Sequence, residues 1–222
     1  MPQIFPPGAN TIGRLLFYGA IPGLLFGWYV AYELYNSSYV NKVSYAVEQP
    51  VPFSHRHHAG ELGIDCRYCH VYVEKSSFAG VPSSRTCMTC HSQIWTGAPM
   101  LEPVRESFRG GRPIAWRRVH DVPDFVYFDH SIHIAKGLAC EQCHGMVDDM
   151  PLTSKHLAFH MKDCLECHRD HARVAAAERP RLAVAQYLET LPQGDGRSTE
   201  ALTRLIEQRG IRKTTDCYTC HR

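Results

Sequence analysis

No cysteine in this 222-residue chain is left over for a disulfide, because all ten fall into Cys-x-x-Cys pairs. No run of five or more Lys or Arg occurs and the formal charge is only +2, so nothing points to a nucleic-acid partner. With 21% charged and 44% hydrophobic residues, the composition is neither that of a disordered chain nor that of a fibrous repeat. Charge is missing altogether from Leu15 to Tyr32, and no small-x-small cleavage pattern follows in VAYELYNSS. What the chain has in excess is histidine, 14 residues in all.

The uncharged run of residues 15–32 is about the minimum length for a helix crossing a ~30 Å hydrocarbon core. It is longer than a usual signal-peptide core and reads as a retained N-terminal transmembrane anchor, residues 1–35. Arg14, the only basic residue before the run, places the N-terminus in the cytoplasm and the remainder, 36–222, in the periplasm. Trp28, Tyr29, Tyr32 and Tyr35 gather at the outer end, where amphipathic rings suit the headgroup layer. Pro22 and Gly23 should weaken the helix midway, which a membrane tolerates where a neighbouring helix packs.

Each cysteine pair is followed at once by histidine: Cys66, Cys69 and His70; Cys87, Cys90 and His91; Cys140, Cys143 and His144; Cys164, Cys167 and His168; Cys217, Cys220 and His221. Cys-x-x-Cys-His is the c-type haem attachment signature. Two thiols form thioethers to the porphyrin edge while the adjacent imidazole reaches the iron. Structural zinc has no reason to demand His after every second Cys, and a redox dithiol needs only one pair. The expected cofactors are therefore five covalently bound haem c. About 187 residues must enclose them, so porphyrin should supply much of the apolar core, regular structure should be sparse, and the haems should nearly touch. The expected fold is mostly irregular with short α-helices, plus the transmembrane helix.

Nine histidines remain for the second axial positions. Phe53-Ser54-His55-Arg56-His57-His58 and Phe128-Asp129-His130-Ser131-Ile132-His133 each read Phe-Ser/Asp-His-x-x-His, 10 or 11 residues before an attachment motif. They define an internal repeat, 53–91 and 128–168, with the fifth motif, 217–221, appended. Residues i and i+3 of a helical turn share a face, so such a pair can serve two different haems. His55, His58, His130 and His133 are assigned to the first four haems in order. For the fifth, His160 or Met161 is expected, with Met150 and His120 as further candidates; Met would raise the potential relative to His. His57 and His171 read as solvated or hydrogen-bonding residues. Residues 173–215 suggest two short helices, Arg181 to Leu191 and Thr199 to Arg209, divided by PQGDG.

The repeated Phe-x-His-x-x-His before Cys-x-x-Cys-His resembles the class III cytochromes, in which such a pair ligates two haems. IFPPGANTIGRL, PVPFSHRHHAGELGIDCRYCH, TCMTCHSQIW, RVHDVPDFVYFDHSIHIAKG and HMKDCLECHR together look like the membrane-anchored pentahaem cytochrome c subunit of alternative complex III. That resemblance implies an electron-transfer subunit of a quinol-oxidising complex in the bacterial inner membrane, in a respiratory or photosynthetic chain. Its partners would be multi-helix quinol-binding proteins, an iron-sulfur subunit and a monohaem cytochrome c, and its acceptor a soluble periplasmic cytochrome c or copper protein. It further implies mostly bis-His haems and a possible His/Met one. Catalytic residues in the bond-making sense are not expected. A self-sufficient, membrane-anchored multihaem quinol dehydrogenase is the alternative. A pentahaem oxyanion reductase is a poorer one, since all five motifs end in His and leave no open iron.

Overall fold

The structure is a computed structural model and describes residues 4–170, 204, 206–208 and 210–221. The candidate helix Arg181 to Leu191, His171 and most of Thr199 to Arg209 lie outside the described residues. The chain divides into two compact units, Met1–Val43 and Ser44–Arg222.

The first unit is dominated by α1, Ala9–Asn36, which runs through Pro22. Its 28 residues span about 42 Å at the usual rise. No residue of it is buried, and its length and apolar composition suffice to cross a membrane. It ends where Ser37 turns back to satisfy orphan carbonyls, its amide and hydroxyl both donating to Leu34 O. A single turn, α2 (Ser38–Asn41), follows and closes on Lys42 at φ 57°.

The second unit is built of short helices joined by irregular chain. In order come a π-type turn Arg56–Glu61, α3 (Cys66–Cys69), α4 (Ser84–His91), a 3-10 turn Pro99–Leu101 and α5 (Glu102–Gly110). Then come α6 (His130–Ala135), α7 (Glu141–His144), a 3-10 turn Val147–Asp149, α8 (Met161–Arg169) and α9 (Cys217–Cys220). Among the described residues there is no sheet, only the isolated antiparallel bridges Ala46–Ser154 and Val126–His221.

Three of these helices start where a carboxylate caps them. Asp65 accepts from the Arg67 amide ahead of α3, Asp129 accepts from the Ser131 amide ahead of α6, and Asp163 accepts from the His160 amide at the start of α8. Four of the Cys-x-x-Cys pairs lie wholly on one short helix; the third straddles the start of α7, with Cys140 as its N-cap.

The apolar interior is minimal. Among the described residues only Val51, Val73, Leu101, Val104 and Ala139 are buried hydrophobics. Val51, Leu101 and Val104 form one small cluster with Cys87, Met88, Ala98, Ile114 and Trp116 against it, which fixes α4 on α5. Such a core is far below what a domain of this size needs to offset chain entropy by side-chain burial alone.

Elsewhere the backbone itself makes the close contacts. A Cβ on Gly60 would overlap the carbonyl oxygen of Asp148, where the turn Arg56–Glu61 meets the turn Val147–Asp149. Gly145 sits at φ 71° with the His156 ring where its Cβ would be. Gly60→Ala must part the two turns and should lower stability by about 1–3 kcal/mol. Thermal unfolding followed by circular dichroism checks this; an unchanged Tm would show that the contact gives way freely.

Candidate functional site

The two Phe-x-His-x-x-His segments fold alike. Phe53 stacks on His58 at 4.4 Å between ring centroids and meets His55 edge-on at 4.9 Å. Phe128 stacks on His133 at 4.6 Å and meets His130 edge-on at 4.7 Å. His58 Nδ1 donates to Ser54 O (2.9 Å) and His133 Nδ1 to Asp129 O (2.7 Å), each four residues back. The repeat in the sequence is thus a repeat in space, although the first copy is a π-type turn and the second an α-helix.

Long-range contacts then set these imidazoles opposite those of the attachment motifs. His58 faces His91 with ring centroids 6.2 Å apart, His130 faces His144 at 6.3 Å, and His133 faces His168 at 6.2 Å. Two metal–imidazole bonds of about 2 Å, with each ring centre about 1 Å behind its nitrogen, put opposed centroids roughly 6 Å apart. The spacing therefore fits one iron between each pair. His55 lies within electrostatic reach of His70.

The rings are oriented from behind. His70 Nδ1 donates to Gly80 O (2.7 Å), His91 to Ile94 O (3.3 Å) and His221 to Phe125 O (3.2 Å). His130 Nδ1 donates to Ser77 O (2.6 Å), and His168 Nδ1 reaches both the carbonyl (3.0 Å) and the hydroxyl (2.8 Å) of Thr214. His55 differs in that its Nδ1 pairs with the Thr153 hydroxyl alone, at 2.9 Å. A carbonyl can only accept, so the proton sits on Nδ1 and Nε2 is the nitrogen left for a metal.

Burial keeps several rings in the neutral, ligating form. It is the main cause that lowers the pKa of His144 to about 3, with His120 next, and that of His55 to about 4, with His70 next. Among the described residues no three Cys, His, Asp or Glu side chains converge as a tetrahedral metal site would require. A bis-His haem asks for only two protein ligands on the iron, one on each face, and that is the arrangement the opposed rings offer.

The attachment motifs also adjoin one another. The Cys66 and Cys140 thiols lie close enough to shift one another's pKa, which joins the first motif to the third. Burial raises the Cys69 pKa with Cys87 as a further cause, so the first motif also borders the second. Burial and Cys220 together raise Cys164, which sets the fourth beside the fifth. His130 and His133, three residues apart on α6, link the third to the fourth. In space the motifs run second, first, third, fourth, fifth.

The remaining candidates fall as follows. Met161 is 65% exposed at the start of α8, and the His160 side chain caps that helix by accepting from the Asp163 amide while Asp163 accepts from the His160 amide. Met150 lies close to the Ser154 hydroxyl. His120 is seated on the His144 ring at 4.4 Å, with its Nε2 buried and unpartnered. His57 is exposed, pairs with Glu61 at 2.8 Å and stacks on Trp95. Sequence reasoning missed Thr153, Ser77, Gly80, Phe125 and Thr214 as anchors of the imidazoles. No local signal marks them, because four of the five come from 46 to 98 residues away.

Comparison with known proteins agrees with this geometry. Residues 34–101, which hold the first Phe-x-His-x-x-His segment and the first two attachment motifs, match the Class III cytochrome C family. The multihaem cytochrome c subunit of menaquinone reductase from Nitratidesulfovibrio vulgaris is 36% identical over 129 residues, covering 58% of this chain and 57% of that protein. The chain thus spans just over half the length of that curated relative. It is similar to multihaem c-type cytochromes of class III, and covalently bound haem c is the cofactor that this likeness and its attachment motifs imply.

Proposed function

We propose that this chain carries five haem c groups and serves as an electron-transfer subunit of a membrane quinol oxidoreductase complex of the alternative complex III kind. Residues 1–35 would anchor it in the inner membrane and 36–222 would form the periplasmic domain, whose acceptor is a soluble cytochrome c or copper protein. When bound, haem c supplies one-electron iron chemistry, its potential tuned by axial ligand, burial and hydrogen bonding.

The observation that carries the reading is the opposition of imidazoles at 6.2 to 6.3 Å in three pairs drawn from distant parts of the chain. On this reading His58 and His91 hold the second haem, His130 and His144 the third, His133 and His168 the fourth, and His55 with His70 the first. With both axial positions filled, no metal position is open to a substrate, which argues against an oxyanion reductase. For the fifth, His221 is the proximal ligand. Met161 and Cys164 share a face of α8 and Cys164 lies within reach of Cys220, while the His160 side chain is taken up in capping α8, which favours Met161 over His160 as its partner.

The name of the 36% identical relative favours a second reading, in which electrons run the other way, toward menaquinone. The two separate in the gently purified complex. A quinol analogue should reduce the haems there and leave the isolated chain oxidised. Reduction of the isolated chain would favour a self-sufficient dehydrogenase, and oxidation of pre-reduced haems by a menaquinone analogue, without quinol-driven reduction, would favour the second reading.

A pyridine haemochrome assay should give about five covalent haems per chain, one for each Cys-x-x-Cys-His. A count of three or fewer would end the five-haem reading.

Thr153→Val should raise the potential of one haem. It removes the acceptor behind His55 Nδ1, making that imidazole a poorer donor to the iron. One hydrogen bond corresponds to a shift of about 20–60 mV for a one-electron couple. Five unmoved potentials in a redox titration would mean that His55 is not a ligand.

A further inference from the structure

We propose that the face formed by α4, α5 and residues 112–118, beside the second attachment motif, is the docking surface for an acidic soluble electron carrier. This rests on the electron-transfer reading above and adds where the carrier binds and what chemistry recognises it.

Two observations that do not depend on each other meet at this face. The first is position. The second motif adjoins the first, where the Tyr68 and Thr89 hydroxyls meet at 3.2 Å, and in the order of neighbours traced above it comes at one end of the row. Of the ten cysteines only Cys90 and Cys217 are exposed, and they belong to the second and fifth motifs, the two ends. A partner must approach closely where the row surfaces, and the second motif is such a place.

The second observation is charge. Residues 84–118 hold six arginines, two glutamates and no other charged side chain, a balance of +4 in a chain whose total is +2. The rest of the protein is therefore net negative by 2, and this stretch stands out as its basic face. Part of that charge is used internally: Glu102 takes both Arg105 and Arg109, and Arg117 lies 3.8 Å from Glu48. Arg85, Arg112 and Arg118 are exposed and have no carboxylate partner among the described residues. Arg85 lies over the Phe108 ring at 6.0 Å, which places it on the α4–α5 seam.

The face is also rigid and partly apolar. Val51, Leu101 and Val104 lock α4 and α5 together beneath it. The Ser107 hydroxyl donates to Arg112 O, and the Gln49 amide clamps the Arg117 backbone through both its oxygen (2.9 Å) and its nitrogen (2.8 Å). Ile94, Trp95, Met100 and Phe108 are exposed on the same elements and the loop between them. Arginines around exposed aromatic and aliphatic side chains are the composition of a protein-docking patch, whereas a purely electrostatic lipid contact would not need the apolar centre. Fixed positive charge also steers a negatively charged carrier toward the end of the row.

The test measures binding with both proteins fully oxidised, so that no electron passes. The full chain in nonionic detergent is titrated calorimetrically with an acidic plastocyanin and, separately, with a basic mitochondrial-type cytochrome c. Plastocyanin should bind, and its Kd should weaken at least tenfold between about 0.01 M and about 1 M salt, over which the screening length falls from roughly 30 to roughly 3 Å. At low salt the triple variant R85Q/R112Q/R118Q should bind about tenfold more weakly. K75Q/K162Q, which changes two exposed lysines outside this face, should bind as the parent does. The basic cytochrome should not bind.

Equal affinity of the triple variant and the parent would overturn the proposal, as would preference for the basic cytochrome. So would loss only of binding to phosphatidylglycerol vesicles with plastocyanin unaffected, since that makes the face a lipid contact. Haem content and a redox titration on the same samples keep the two levels apart. Absent or redox-silent haems would remove the electron-transfer reading, whereas intact haems with unchanged plastocyanin affinity remove only the docking surface.

Discussion

An imidazole grips a metal in a defined direction only when its other nitrogen is held, and that constraint organises this molecule. Four histidine rings have Nδ1 tied to carbonyls or hydroxyls remote in sequence: His130 to Ser77, His168 to Thr214, His221 to Phe125 and His55 to Thr153. Each bond fixes a ring plane, and those to carbonyls a tautomer too, while stapling two distant stretches of irregular chain. The hydrogen bonds that orient these imidazoles are therefore also a large part of the tertiary structure.

This explains how a unit with so few buried side chains holds a definite shape. Among the described residues Val51, Leu101 and Val104 make one small cluster, and it serves α4 and α5. Elsewhere the helices are too short to persist by themselves, and three of them are begun by Asp65, Asp129 or Asp163. Many large apolar side chains outside α1 are exposed, among them Tyr72, Phe78, Phe125 and Ile132. Covalently attached porphyrins are the apolar material that such a protein needs in place of a core.

The two Phe-x-His-x-x-His segments illustrate how one local device can be reused. In both, the aromatic ring stacks on the second histidine and meets the first edge-on, and the second histidine bonds back to its own turn. In the second copy two rings three residues apart then face two different attachment histidines, His144 and His168, which ties neighbouring sites together at a fixed spacing. Joining the copies through Cys66 and Cys140 makes one row from two pairs and puts the second motif, with its arginines, at an end.

The attachment motifs, the candidate ligands at 55, 58, 130 and 133, the repeat, the apolar helix and the scarcity of regular structure were all legible in the sequence. Each depends on residues a few positions apart, or on composition, and so leaves a local pattern. The order of the sites in space, the hydroxyl behind His55, the seat of His120 on His144 and the meeting of Gly60 with Asp148 were not legible. Those are contacts between segments of irregular chain dozens of residues apart, with no periodicity to announce them, and only the folded path of the backbone decides which meets which.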